Sequence, residues 1–240
     1  MNDLADERSG DTLSAEERSR TWIVIAAFNE GRAIRAVVEE LKATYSKVLV
    51  VDDGSSDDTA AEATAAGSLV LRHLVNLGQG AALQTGIEYA YRAGATAIVT
   101  FDADGQHKAA EIPRLVRPVL HGEADIVLGS RFLGRADNIK TSKIIVLKLA
   151  IVFTAVTTGA WFTDVHNGFR CLSFKAAQTI RIRQNRMAHA SEILEQIIYN
   201  KLRYIEKPVT VVYTDYSVQK GQRLSNSVQI VVDLILSRIA

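Results

Sequence analysis

One cysteine, Cys171, stands in 240 residues. That scarcity excludes an internal disulfide framework and a cysteine-rich zinc site, and it suits a reducing cytoplasm. Charge of one sign is missing too. Lys and Arg number 28 against 27 Asp and Glu, a formal net charge of +1. Such a balance argues against a nucleic-acid binder working by bulk charge. The first stretch lacks an apolar core and carries Asp3, Asp6, Glu7, Asp11, Glu16 and Glu17. It matches neither a signal nor a transit peptide, and residues 1–20 read as a disordered tail. No segment is a clean membrane span. The nearest, residues 144–162, is interrupted by Lys148, Gly159 and several threonines, and reads as a buried or interfacial helix. Two nucleotide signatures are absent as well. There is no Walker lysine loop, and Gly78-x-Gly80 lacks the third glycine of a dinucleotide fingerprint.

What the chain does have is 48% hydrophobic residues, enough for one large domain, and a βαβ rhythm. Apolar strands are expected at 22–28, 48–51, 69–72, 97–101 and 125–129. Helices are expected from Ile34 to Leu41, after a Ser56 or Asp57 cap, up to Tyr91, and from Ile112 to Leu120. After Arg131 the rhythm breaks. A polar loop (133–142), the apolar helix, a loop and short strand (165–174), a helix (192–202) and a strand (208–214) follow. Residues 226–240 form an amphipathic pattern. The division is a tail (1–20), a main domain (21–225) and a terminal helix (226–240).

Four strand-following loops rich in Asp, Asn, Gly and Ser open on one sheet edge: Phe28-Asn29-Glu30, Asp52-Asp53-Gly54-Ser55, Asn76 to Gly80, and Asp102-Ala103-Asp104. Ligands bind at the carboxyl edge of open α/β sheets. Asp102-x-Asp104, followed by the Gln106 amide, is hard-ligand chemistry. It suits Mg²⁺ or Mn²⁺ together with the phosphates of a nucleotide. An acid after the second strand, Asp52 or Asp53, can accept hydrogen bonds from a ribose or a base. Glycines such as Gly78 and Gly80 let the backbone approach a phosphate.

Six motifs follow one another in order: Phe28-Asn29-Glu30, Val51 to Asp57, Asn76-x-Gly78-x-Gly80, Asp102 to His107, Gly129-Ser130-Arg131-Phe132, and Asp164 with Gly168-Phe169-Arg170. In these the chain resembles the family 2 glycosyltransferases of the GT-A fold, and within them the polyprenyl-phosphate (dolichol-phosphate mannose synthase-like) sugar transferases. The resemblance implies an α/β fold with a mostly parallel central sheet flanked by helices and with C-terminal acceptor-side helices. It also implies a nucleotide-sugar donor (UDP favoured over GDP), a divalent metal on Asp102, Asp104 and Gln106, and inversion at the anomeric carbon. The acceptor would be lipid-linked, either a polyprenyl phosphate or a polyprenyl-diphosphate sugar. The setting would be the inner face of a membrane, with a second copy or a membrane protein as further partner candidates. Arg131 and Arg223 are candidates for phosphate grip, and Arg170 for facing the acceptor. Asp164, ahead of Glu192, is the base an acceptor hydroxyl would need; an acceptor phosphate would need none. His107, His166 and His189 fit no common zinc spacing and read as loop residues. The Asp164-Val165-His166-Asn167-Gly168 loop departs from the mannose-synthase version. A sugar-phosphate nucleotidyltransferase would carry a basic, Gly-rich first loop where Phe28-Asn29-Glu30 is acidic. A non-catalytic nucleotide-sugar-binding scaffold is the other alternative, against which the intact acid pair speaks.

Overall fold

The computed structural model describes residues 12–186 and 188–213. Seven strands form one sheet: β1 (Thr21–Ala27), β2 (Val48–Asp52), β3 (Leu69–Arg72), β4 (Ala97–Asp102), β5 (Ile126–Asp137), β6 (Arg170–Ser173) and β7 (Tyr204–Val212). Their order is β3-β2-β1-β4-β6-β5-β7. Every pairing is parallel except those of β6, which runs antiparallel to β4 and β5.

The period-two alternation of apolar strands buries both faces of the sheet. Ile23, Ile25, Val48, Val50, Val99 and Phe101 join one core. Val24, Leu49, Val51 and Ile98 join the other. The first core is covered by α2 (Ile34–Lys42) and α5 (Ile112–Leu120), through Ile34, Val37, Val38 and Leu41 at helical spacing and through Leu115, Val116 and Val119. The second is covered by α4 (Gln79–Arg92), α7 (Phe174–Thr179) and α8 (His189–Tyr199). Gly86 permits close seating of α4, since a Cβ there would lie 2.3 Å from Val24 Cγ1. The remaining helices are α1 (Ala15–Ser19), α3 (Thr59–Ala65) and α6 (Thr141–Thr158).

Three expectations need correction, and one alternative left open is narrowed. Residues 12–20 are ordered, not a tail: Ser14 and Glu17 form a reciprocal capping box on α1, and Leu13 is buried in the core. The polar stretch after Leu133 continues β5 to Asp137, paired with β7 through Asp137–Val212. Its exposed side chains hid the strand, and Gly134 is needed because a Cβ would meet Val209 O at 2.3 Å. Helix α3 takes Asp58 as its cap residue rather than Ser56 or Asp57, although Asp57 Oδ1 does accept from Thr59 N at 3.1 Å. Helix α6 is not a core helix: only Leu147, Ile151 and Thr154 are buried, while Ile145, Leu149, Val152 and Val156 are exposed. Its 18 residues have mean hydropathy 1.6. The loop 219–225 with Arg223 and the helix 226–240 lie outside the described residues.

Candidate active site

The strand ends β1, β2 and β4, the approach to β6, and helix α6 enclose a cavity of about 840 Å³. Phe28, Glu30, Asp53, Asn76 and Gly78 line one side. Asp102, Asp104, Gln106 and His107 form its middle. Arg131, His166, Asn167, Gly168 and Arg170 lie on the β6 side.

The first two loops are stitched together by side chains. Asn29, at φ 53°, donates its N–H to Ser55 Oγ (2.9 Å) and accepts from Ser56 N with Oδ1 (2.9 Å). Glu30 N donates to Thr59 Oγ1 at 2.8 Å. Asn29 therefore fastens the loop, while Phe28 and Glu30 face the cavity. The two acids after β2 part company. Asp52 is fully buried, accepts from Ser55 N and pairs with Arg72 at 3.1 Å, outside the cavity lining. Asp53 lines the cavity, and its oxygens accept from Leu77 N (3.0 Å) and Gly78 N (2.7 Å), with His73 Nδ1 at 2.7 Å. It shapes the 76–80 loop.

The two glycines of that loop also meet a neighbouring segment closely. A Cβ on Gly78 would lie 2.3 Å from Asn185 O, and one on Gly80 would lie 2.1 Å from Gln184 O. Gly80 N already donates to Asn185 O. The glycines make room for the 184–186 segment, which brings Arg186 into the cavity. Glu192, on α8, braces that segment. Its carboxylate accepts from Arg183 N and Gln184 N, and it does not line the cavity.

Asp104 accepts from Gln106 N (3.1 Å) and Gln106 Nε2 (2.7 Å). Asp102 Oδ2 lies 2.8 Å from His107 Nε2. Burial and the neighbouring Asp102 charge push Asp104 up to about 6. Burial also opposes ionisation of Asp102, but His107 and the charges of Arg131 and Arg170 hold it below the usual carboxylate range. Two close carboxylates, one of them resisting ionisation, are a donor set that a divalent cation relieves. Among the described residues no cluster of three or more His, Cys, Asp or Glu gathers as a metal cage. Mg²⁺ bound through one or two carboxylates and substrate phosphates does not require one.

Arg131 and Asp164 form a buried ion pair at 2.6 Å. The guanidinium also donates to Tyr213 OH and His166 O. Among the described residues, three of the five N–H donors of the guanidinium are thus engaged. Asp164 does not line the cavity: its side chain is sealed, accepting from Arg131 N and His166 N besides the guanidinium. Arg170 is buried against the cavity, and among the described residues its guanidinium donates to Val165 O and Ala190 O at 3.4 Å each. Burial lowers it to about 10, against the charges of Asp102 and Asp164. Lys143, from the first turn of α6, lines the same space and lies 4.4 Å from the Tyr213 ring.

A glycosyl transferase family 2 model matches residues 22–181. The chain belongs to that family. This glycosyltransferase is 31% identical to an uncharacterised protein of Methanocaldococcus jannaschii, over 97% of this chain and 98% of that one. It is 30% identical to a UDP-N-acetylglucosamine–dolichyl-phosphate N-acetylglucosaminyltransferase of Methanococcus voltae, over 91% and 96%. It is 26% identical to a polyprenol monophosphomannose synthase of Mycolicibacterium smegmatis, over 88% and 84%. Among solved structures, glucosyl-3-phosphoglycerate synthase of Mycobacterium tuberculosis with Mg²⁺ and UDP superposes with TM-score 0.70 at 18% identity, over 93% and 83%. The GT-A fold is thereby established for this glycosyltransferase. Lys143 and Arg186 were missed as site residues because each is brought in by packing from a distant segment, with no local pattern to mark it. The three histidines converge: His107, His166 and His189 all line the cavity, and His189 opens helix α8 rather than standing in a loop.

Proposed function

We propose that this glycosyltransferase moves a sugar from a nucleoside-diphosphate donor to the phosphate of a polyprenyl-type lipid at the cytoplasmic leaflet. One observation carries the reading. The acid pair at the end of β4 shares a single cavity with an apolar wall from α6, made of Val146, Leu147, Leu149, Ala150 and Phe153. A charged centre beside a hydrocarbon surface fits a phosphate at the end of a lipid chain. Lys143, Arg170 and Arg131 supply the cations such a phosphate needs.

The expected general bases support the same acceptor. Asp164 holds Arg131 and Glu192 holds the 183–184 backbone. A lipid phosphate is already ionised near pH 7, so it attacks without a base. Its oxygen displaces the nucleoside diphosphate at the anomeric carbon, with inversion. Glu30, Asp53, Asn76 and Gly78 bound the nucleoside end. Asp102 and Asp104 would hold Mg²⁺ or Mn²⁺, with the Gln106 amide keeping Asp104 in place; the ion supplies neutralisation of the departing diphosphate. UDP is the favoured nucleotide, in line with the UDP-sugar in the name of the Methanococcus voltae relative.

The test is a panel of nucleotide sugars offered to the purified protein with detergent-solubilised polyprenyl phosphate, Mg²⁺ and an EDTA control. A soluble phosphate acceptor, 3-phosphoglycerate, runs in parallel. Metal-dependent sugar transfer to the lipid is the expected result. Transfer only to phosphoglycerate, or transfer that survives EDTA, would overturn it.

A further inference from the structure

Among the described residues, four buried side-chain polar atoms beside the acid pair have no hydrogen-bond partner: His107 Nδ1 and three in the loop before β6. Both ring nitrogens of His166 and Nδ2 of Asn167 are buried and unpaired. Buried polar groups without partners are costly, and clusters of them call for an explanation. Both residues line the cavity. Their backbone is fixed on several sides. His166 O accepts from Arg131 Nη2, and His166 N donates to Asp164 Oδ1. Asn167 Oδ1 accepts from Phe169 N at 3.0 Å, and Gly168 O accepts from Thr100 Oγ1 at 2.6 Å. The unpaired atoms are therefore part of a built loop.

Topology says which portion of a donor this loop would meet. In the sheet, β4 stands between β1 and β6. The nucleoside-side residues leave β1 and β2, the acids end β4, and residues 164–169 lead into β6. A donor laid with its nucleoside over β1 and β2 and its diphosphate at Asp102 and Asp104 carries its sugar onward to the β6 side. Gly168 makes the approach close: a Cβ there would lie 2.5 Å from Asp102 Oδ1.

Resting on the proposed reading, we infer that His166 and Asn167 form the subsite that recognises the transferred sugar through its hydroxyl or amide substituents. The chemistry of the unpaired atoms selects this ligand class. Burial lowers His166 to about 4, so the ring is neutral at pH 7, with one N–H donor and one acceptor nitrogen. Asn167 Nδ2 adds a donor. A mixed, uncharged set matches groups that both give and accept hydrogen bonds. A phosphate, which only accepts, is better served by Arg170 and Lys143.

The experiment compares the full chain with His166→Phe, which keeps a ring and removes both nitrogens, and with His166→Gln, which keeps polar atoms. Calorimetry with Mg²⁺ measures UDP, GDP, UDP-glucose, UDP-N-acetylglucosamine and GDP-mannose. The quantity read is the affinity of a nucleotide sugar relative to its bare nucleotide. His166→Phe should reduce that ratio about fivefold, the size of one net hydrogen bond, and leave bare-nucleotide affinity unchanged. His166→Gln should recover part of the loss. In ¹⁵N spectra of the histidine rings, the signal that disappears in His166→Phe should shift with the nucleotide sugar and stay put with the bare nucleotide. This arm uses the wild-type protein together with His166→Gln for assignment if His166→Phe does not fold. An unchanged ratio, or a ring signal indifferent to the sugar, overturns the subsite while leaving donor binding and the functional reading standing. A wild-type chain that binds no nucleotide or nucleotide sugar overturns both.

Discussion

At the scale of single residues, the surroundings of the acid pair add detail that its spacing could not convey. Asp104→Asn should reduce transfer by at least ~100-fold, because it weakens the hold on the divalent cation that would neutralise the leaving diphosphate. Near-normal turnover of the folded variant would remove Asp104 from the site. Gly168→Ala is a subtler probe. The added methyl would meet the Asp102 carboxylate, so Asp102 must move. Metal affinity, titrated with Mn²⁺, should fall while the melting temperature stays within a few degrees. The motifs Asp102 to His107, Gly129 to Arg131 and Gly168 to Arg170 were legible because each is a contiguous string whose residue types state their chemistry. Roles inside those strings were not. Asp164 and Arg131 look like independent catalytic candidates in the sequence, but burial of both forces them to neutralise each other. Lys143 and Arg186 reach the cavity only through tertiary packing.

At the scale of elements, one carboxylate ties three of them together. Asp125, just before β5, accepts from Arg203 N (2.9 Å) and pairs with the Arg203 and Lys175 side chains at 3.2 Å each. It joins the start of β5, helix α7 and the turn into β7. Burial works against its ionisation, but these hydrogen bonds outweigh it and hold Asp125 down at about 2, below the ordinary 3.8. A carboxylate depressed in the folded state stabilises above its unfolded pKa. Its contribution is full above pH 4 and is lost as pH falls toward 2. Asp125→Asn should therefore cost about 1–2 kcal/mol at pH 7, with a difference from wild type that shrinks across that acid window. Urea titrations at pH 7 and pH 3 would measure it; an equal deficit at both would refute the linkage. Strands β1, β2 and β4 were readable because unbroken β-branched runs bury on both faces. The far end of β5 was not, since residues 133–137 put polar and exposed side chains on a backbone held by β7. Helix α1 was hidden by its acidic, solvent-facing composition, although Ser14 and Glu17 spell a capping box.

At the scale of the whole molecule, helix α6 presents two faces to two environments. Leu147 and Ile151 pack inward, while Val152 is 49% and Val156 79% exposed, with Trp161 at 64% just beyond. The inward pair would report only on folding, so the outward pair is the better probe. Val152→Asp with Val156→Asp should leave the melting temperature nearly unchanged and abolish flotation with anionic vesicles. Wild-type flotation should weaken in high salt, since Lys140 and Lys148 contribute about 1 kcal/mol each near such a surface. Flotation equal in both proteins would detach this helix from the membrane reading. The alternation of strands and helices made the doubly covered sheet legible in the sequence. What sequence could not convey was that this apolar helix of 18 residues would also wall the cavity holding the acid pair. Under the proposed reading, that arrangement changes the variable that governs the rate. An enzyme whose reaction chamber opens along a bilayer finds its acceptor by lateral diffusion in two dimensions. Diluting the acceptor with inert lipid, at constant bulk concentration, should then slow turnover in proportion to its mole fraction in the bilayer.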